Sequence, residues 1–599
     1  MKMSTRIGRE TAFIKGISRL FRRIRPIRPD GTDLVCDDWE EAVDRWPENV
    51  AVIGEDRQVT YRELDLMANR FGHWAKGRGL RKGDVIALMI PNRIEYLAAW
   101  IGFSKVGVVT ALVNTNLTGQ ALAHCLKIVG ARHLICDFET FEAGEEAKGR
   151  ITDRTISLWV LGLRAEDETS ERRGLDTPVK GASAVRPDRS QRAGMTNKDL
   201  ALYIYTSGTT GLPKAARITH QRARLYMRAF AGATDANQTD RIYCVLPLYH
   251  STGGLCGVGA ALLNGGAVVL RRRFSASQFW TDVAEKGCTM FVYIGELCRY
   301  LLNSPPHPLE RQHRLRFAFG NGLRPEVWPA FQERFAIPRI MEFYGSTEGN
   351  ASLFNFDGKP GAIGRIPWYL KSRINVRLVR MDEAHAEPLR GADGLCREAA
   401  PGEIGEAIGR IGEGAKFEFG GYADRAASEK KVLEDVFKKG DRWFRTGDLM
   451  RMDRDGYFYF VDRMGDTFRW KGENVSTTEV AERLSGAPGV QEVIAYGVPV
   501  EGAEGKAGMV ALRIDGKFDP AAFGEHADRE LPPYARPAFV RLLRNAPDTT
   551  GTFKYRKVDL EREGWSEDVT DPLYVRSGDK YAKLTPAARR KLAEGALRL

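Results

Sequence analysis

The stretch Tyr205-Thr206-Ser207-Gly208-Thr209-Thr210-Gly211-Leu212-Pro213-Lys214 concentrates hydroxyls, glycines and one lysine directly after an apolar run. Glycines let a backbone approach a ligand closely and present its N–H groups, hydroxyls add donors, and an ammonium adds a point charge. The combination is therefore built to meet a polyphosphate. It is not a Walker A loop, because the GxxxxGK[ST] spacing is absent.

Four further strings carry chemistry. Glu342-Phe343-Tyr344-Gly345-Ser346-Thr347-Glu348 ends in an acid of the kind that holds Mg²⁺ together with substrate phosphates. Gly320-Asn321-Gly322-Leu323-Arg324 follows an apolar run, where a tight glycine turn brings backbone close to a flat base. In Phe444-Arg445-Thr446-Gly447-Asp448, with Asp462-Arg463 beyond it, one well-aimed carboxylate is enough to accept from both ribose hydroxyls. Thr550-Gly551-Thr552-Phe553-Lys554 ends in a cation that, beside a carboxylate and an α-phosphate, stabilises the charge developing between them; Lys557 competes for that role. Taken singly, each has an ordinary reading as a solvated acid, a plain turn, a cap or a surface lysine.

In this order, the strings resemble the signature motifs of the adenylate-forming superfamily, which includes acyl-CoA synthetases, luciferases and nonribosomal-peptide adenylation domains. The resemblance implies phosphate contacts from Thr206, Ser207, Gly208, Thr209, Thr210, Gly211 and Lys214, and adenine contacts from Gly320, Asn321, Gly322 and Tyr344. It assigns Thr347 to phosphate, Glu348 to Mg²⁺, Asp448 to ribose with Arg463 as its partner, and Lys554 to adenylation. Gly472 with Trp470 would move toward a coenzyme A channel, and Tyr249-His250-Ser251 with the helix over 295–300 would form the acyl pocket, His250 gating its carboxylate end. A lone histidine beside an aromatic is more often structural. Three longer strings, over 293–302, 468–479 and 531–537, look like the branch of fatty-acid transport proteins and very-long-chain acyl-CoA synthetases. The usual Ser-Gly-Lys reads Thr552-Phe553-Lys554, the form associated with that branch.

The implied activity is an AMP-forming ligation of a long-chain fatty acid to coenzyme A through an acyl-adenylate, using ATP, Mg²⁺ and CoA; whether the protein contributes to uptake stays open, and any uptake would be trapping of the acid as its thioester. The same chemistry on a bile acid or a carnitine-related acid, and a non-catalytic fatty-acid-binding protein, are the alternatives.

The implied fold is α/β: a large multi-subdomain N-terminal domain of β-sheets flanked by helices, with a smaller mobile α+β C-terminal domain. At 599 residues a single core is excluded on size alone. The expected division is a leader over 1–30, an adenylate-forming domain over 31–463 and a lid over 464–599, rotating about 462–466, where Gly465 can absorb large backbone changes. Helical periods alternate with short β-branched runs from residue 39, and the charged, Gly/Ser/Pro-containing segment 164–197 reads as a surface excursion. A second α/β series is expected from strands over 201–205, 242–245, 267–270, 289–292 and 315–319, then a hairpin at Gly456.

The net charge of +12 is concentrated in the first 28 residues, where nine Lys and Arg meet only Glu10, so no nucleic-acid partner is expected of the nearly balanced body. Phe13, Ile14, Ile17, Leu20, Phe21 and Ile24 share one helical face, ended by Pro26. Such a helix suits an anionic membrane surface and equally suits packing on the protein's own body. The eight scattered cysteines read as reduced thiols, and neither a secretory signal nor a transmembrane span is expected. The expected location is cytoplasmic, with a peripheral contact through 1–28 at the inner face of the plasma membrane; the oligomeric state stays open, a homodimer included.

Overall fold

The structure, a computed structural model, describes residues 3–163, 165–169, 173–206, 212–382, 387–414, 417–464, 468–470, 473–500, 505–544, 557–578 and 580–593. The chain forms two compact units, the second taking residues 377–407, 447–454 and 459 onward.

Two sheets organise the first unit. Strands such as Val85–Met89 and His133–Asp137 are buried at every position, the pattern of parallel strands covered on both faces. One sheet runs Arg173–Gly174, Ser157–Leu161, His133–Asp137, Val85–Met89, Val109–Leu112, Leu200–Thr206, Lys214–Thr219, parallel except for the last pair. The other runs Ser352–Asn355, Ile340–Gly345, Phe317–Asn321, Met290–Ile294, Arg241–Cys244, Ala267–Leu270, Val50–Ile53, Gln58–Thr60.

This arrangement corrects the strand grouping expected from sequence. Leu200–Thr206 closes the first series, pairing parallel with Val109–Leu112, while Val50–Ile53 crosses over to pair parallel with Ala267–Leu270. Period and β-propensity identify a strand, but neighbours are chosen by packing. The 164–197 segment also differs from a plain surface excursion: Arg192 and Asn197 within it are buried, and the Arg192 guanidinium reaches Asp37 and Glu40, each at 2.7 Å.

The helix His220–Ala233 is the spine of this unit. Thr219 caps it by accepting from the Arg222 N–H at 3.2 Å. Arg224 and Arg228 both bind the buried Asp38 carboxylate, holding it well below the usual range despite its burial. Gly259 lets Val258–Leu262 approach the spine, since a Cβ there would sit 2.4 Å from Met227 Cα. The leader forms the helix Met3–Ile24 and lies on the spine, with Phe13 and Leu20 buried while Ile14 stays 47% exposed. Of the two settings that its amphipathic face suits, the structure uses the protein's own body. Among the described residues, no helix is long and apolar enough to cross a membrane. All eight cysteines are buried and unbridged.

In the second unit a five-stranded sheet runs Val490–Pro499, Lys506–Ile514, Phe539–Leu542, Leu573–Ser577, Lys580–Lys583. Phe468 and Trp470 are buried in its core with Val480, Leu484 and Phe539.

Lys105 gives the fold a direct test. It has no exposed surface, and its ammonium is held by Asp65 at 2.5 Å, Asn69 at 2.6 Å and Glu40 at 3.3 Å. Lys105→Met leaves buried carboxylates without their cation and is expected to cost about 3 kcal/mol or more in urea unfolding.

Candidate active site

The phosphate-loop ends and the acid of the Glu342–Glu348 string meet at one side chain. Thr206 pairs with Lys214 across antiparallel strands; Ser207, Gly208, Thr209, Thr210 and Gly211 lie outside the described residues. The Lys214 ammonium stands 5.5 Å from the centre of the Tyr422 ring, and the Tyr422 hydroxyl donates to Glu348 Oε1 at 2.8 Å. Lys214 and Glu348, 134 positions apart by their numbers, thus share a partner that carries no motif of its own.

The turn bearing Thr347 and Glu348 is held from beneath by the spine. Arg222 donates from Nε to the Thr347 carbonyl at 3.0 Å and from its terminal nitrogen to the Ser346 carbonyl at 2.9 Å and to the Gly349 carbonyl. Tyr226 adds a hydroxyl donor to Ser346 O at 2.8 Å. Gly349 is required here, since a Cβ would lie 1.9 Å from the Phe444 ring. The Ser251 and Thr347 hydroxyls face each other at 3.5 Å.

The Gly320-Asn321-Gly322 turn, assigned to adenine, is organised by Glu342. This buried carboxylate accepts from the Gly322 N–H at 3.0 Å, the Leu323 N–H at 3.1 Å and the Tyr293 hydroxyl at 2.7 Å. It therefore fixes the Gly320-Asn321-Gly322 turn, in which Gly322 takes φ +81° and lies against Gly295. Burial pushes the Glu342 carboxyl up to about 8, against the three donors that favour its anion. Asn321 and Tyr344 stand at the C-terminal ends of neighbouring parallel strands, Phe317–Asn321 and Ile340–Gly345, where open α/β sheets bind ligands. Asn321 Oδ1 is buried and has no hydrogen-bond partner among the described residues.

In the second unit Arg463 Nε binds Asp448 Oδ1 at 3.0 Å, joining the two residues assigned to ribose. Asp462 is buried and accepts from Ser476 Oγ at 2.8 Å and Thr478 Oγ1 at 3.2 Å. Lys557 donates to Thr477 Oγ1 at 2.7 Å. Lys554, Gly465 and Gly472 lie outside the described residues.

An apolar cavity of about 170 Å³ opens beside Tyr344, Asn321, Ser251 and Thr252 and runs along the spine past Tyr226 and Ala229. Ser251 lines it, and His250, its ring 4.6 Å from that of Tyr249, immediately precedes this wall. The helix Gly295–Asn303 is not among its walls: Leu297, Cys298 and Leu301 are buried in the core, and Glu296 pairs with Arg299.

Known proteins match on this frame. The model of the AMP-binding enzyme family matches residues 39–406, and that of the AMP-binding enzyme C-terminal domain matches 479–554. The chain belongs to the AMP-binding enzyme family. It is 42% identical to human long-chain fatty acid transport protein 1 over 571 residues, 94% of this chain and 88% of that one. It is 37% identical to a medium/long-chain-fatty-acid–CoA ligase of Mycobacterium tuberculosis over 557 residues, 92% of this chain and 89% of that one. The fold matches the crystal structure of an anthranilate CoA ligase in complex with anthranoyl-AMP, with a TM-score of 0.75, 21% identity, and coverage of 90% of this chain and 98% of that one. The protein thus has the adenylate-forming enzyme fold.

Sequence reading missed Arg222, Tyr422 and the anchoring role of Glu342 in this AMP-binding enzyme. Arg222→Ala removes donors to three carbonyls and is expected to lower kcat/KM for ATP by roughly 100-fold, with Arg222→Lys recovering only part because one ammonium cannot reproduce the planar fork. Steady-state kinetics with ATP varied will read this.

Glu342 gives a pH signature. Its folded-state carboxyl titrates above the unfolded value, so it favours the folded chain below the ordinary glutamate range, and that contribution is lost as pH rises through about 8. The stability advantage of wild type over Glu342→Gln should therefore shrink between pH 5 and pH 9 in thermal unfolding, with both pH values set by that window. A constant gap would mean that the carboxyl does not titrate there.

Proposed function

We propose that this protein is an ATP-dependent ligase that activates a long-chain fatty acid as its acyl-adenylate and transfers the acyl group to coenzyme A. The observation that carries the reading is the Lys214–Tyr422–Glu348 assembly, whose Glu348 is next in sequence to Gly349, a residue lining the apolar cavity. The names of the relatives support an aliphatic acid, and the cavity's apolar walls suit one better than a bile acid or carnitine-related acid, which carry several polar groups.

A free carboxylate is a poor acyl donor because oxide would have to leave. Attack of a carboxylate oxygen on the α-phosphorus of ATP forms the mixed anhydride and releases pyrophosphate. The CoA thiolate then attacks the acyl carbon and AMP departs. The protein's share is positioning and charge neutralisation. Lys214 and the hydroxyls of Thr206, Ser207, Thr209 and Thr210 take the phosphates, Asn321 and Tyr344 the base, Asp448 with Arg463 the ribose, and His250 stands by the acyl carboxylate.

Glu348 suits Mg²⁺. It is half-buried beside the Thr347 and Ser251 hydroxyls, Tyr422 occupies one of its two oxygens, and a metal bound partly by substrate phosphates needs only one or two protein carboxylates. Bound there, the ion would neutralise polyphosphate charge.

Lys554 is assigned to adenylation alone, delivered by a C-terminal lid over 464–599 that turns about 462–466, and Gly472 with Trp470 to the thioester-forming state. The outward-facing Lys15, Arg22 and Arg25 suit a peripheral contact with anionic headgroups.

Acid-dependent conversion of ATP to AMP, measured with fatty acids of graded length, tests the reaction; failure with every acid would sink it in favour of a binding protein. Lys554→Ala should abolish acid-dependent pyrophosphate release by at least ~100-fold while CoA attack on supplied acyl-AMP proceeds largely intact. Equal loss of both half-reactions would reject this division of labour.

A further inference from the structure

The leader helix lines the apolar cavity. Phe13, Ile17, Phe21 and Ile24, on one face of Met3–Ile24, form its wall opposite Leu225 and Ala229 of the spine. Continuity with Ser251 and Tyr344 means that an acid whose carboxylate sits at the nucleotide must run its tail toward this helix.

The helix is held at its two ends and apolar between. Glu10 pairs with Arg365 at 2.8 Å and accepts from the Tyr369 hydroxyl. Arg19 donates to the Gly232 carbonyl at 3.2 Å and meets Asp235 at 3.3 Å, and Arg23 donates to Asn264. In the middle, Gly16 allows close contact, since a Cβ would lie 2.3 Å from the Phe356 ring, and the Phe13 and Phe356 rings meet edge-on at 5.9 Å. Ile17 and Phe21 remain only half-buried although they face inward, as side chains fronting a cavity do.

Size makes this wall consequential. A cavity of ~150 Å³ accepts benzene, so 170 Å³ takes about one group of that size, and a long alkyl chain must continue into the seam between leader and spine. We propose that the leader helix is the chain-length gauge of this enzyme: Ile17 and Phe21 meet the methyl end of the alkyl tail, and the seam with His220–Ala233 decides how long a tail is accepted. This rests on the fatty-acid reading above and adds to it the segment that sets specificity.

The test compares wild type, Ile17→Ala, Phe21→Leu and Ile17→Trp with saturated acids of eight to twenty carbons, reading AMP release and, in parallel, calorimetric binding of the same acids to the full chain. The two shortening substitutions should raise the ratio of kcat/KM for long over medium acids roughly tenfold, and Ile17→Trp should lower it by a similar factor, the scale of a methylene gained or lost in an apolar pocket. Because the readout is a ratio within each variant, partial loss of folded protein cancels, and Phe21→Leu keeps the test open should Ile17→Trp fail to fold. Unchanged ratios in turnover and binding would overturn the gauge. A length shift in binding without AMP release from any acid would support the gauge and overturn the ligase reading.

Discussion

A single guanidinium carries the geometry of the candidate site. Arg222 rises from the spine helix to three consecutive-turn carbonyls, and the loop it grips presents Thr347 and Glu348. Buried carbonyls without donors are costly, and a planar cation satisfies several at once, so the loop has one favourable conformation. The spine is in turn fixed by Asp38 between Arg224 and Arg228 and by the glycine contact at Met227. Rigidity is therefore passed from a buried ion cluster to a helix, then to a turn, then to the side chains of Thr347 and Glu348.

Glu342 performs the complementary task for the Gly320-Asn321-Gly322 turn. A carboxylate that receives two backbone N–H groups and a phenol replaces the water those donors would otherwise require. The two turns hang on different anchors, Arg222 for the one bearing Thr347 and Glu348, Glu342 for the one over 320–322. Substitutions at the two anchors should thus separate in their kinetic consequences.

Contiguity decided what the sequence made legible. Thr206 through Lys214, Tyr344 through Glu348 and Gly320 through Gly322 are runs whose neighbours share a task, so composition and order pointed to them, as they did to the α/β fold and to most strand positions. Tyr422 and Arg222 reach their partners across 74 and more than 120 positions and sit in unremarkable local sequence, so nothing near them advertised their roles. The choice of sheet for 50–53 and 200–206 was equally hidden, because alternation and β-branching specify a strand and not its neighbour. The leader's amphipathic face was visible, but lipid and a protein groove reward the same pattern. Asp448 and Arg463, 15 positions apart in the numbering, bind each other directly.

The crossover of Val50–Ile53 has a bearing on how the chain is made. Val52 finds its parallel neighbour only at Val268, and the leader's seat on His220–Ala233 also arrives late. At ribosomal speeds of about 5–20 residues per second, that strand and the cationic, greasy helix wait on the order of 10–40 s for these partners to be made. Through that interval the nascent chain is sticky at these two segments, and a holdase or a membrane close to the ribosome exit would find purchase on them.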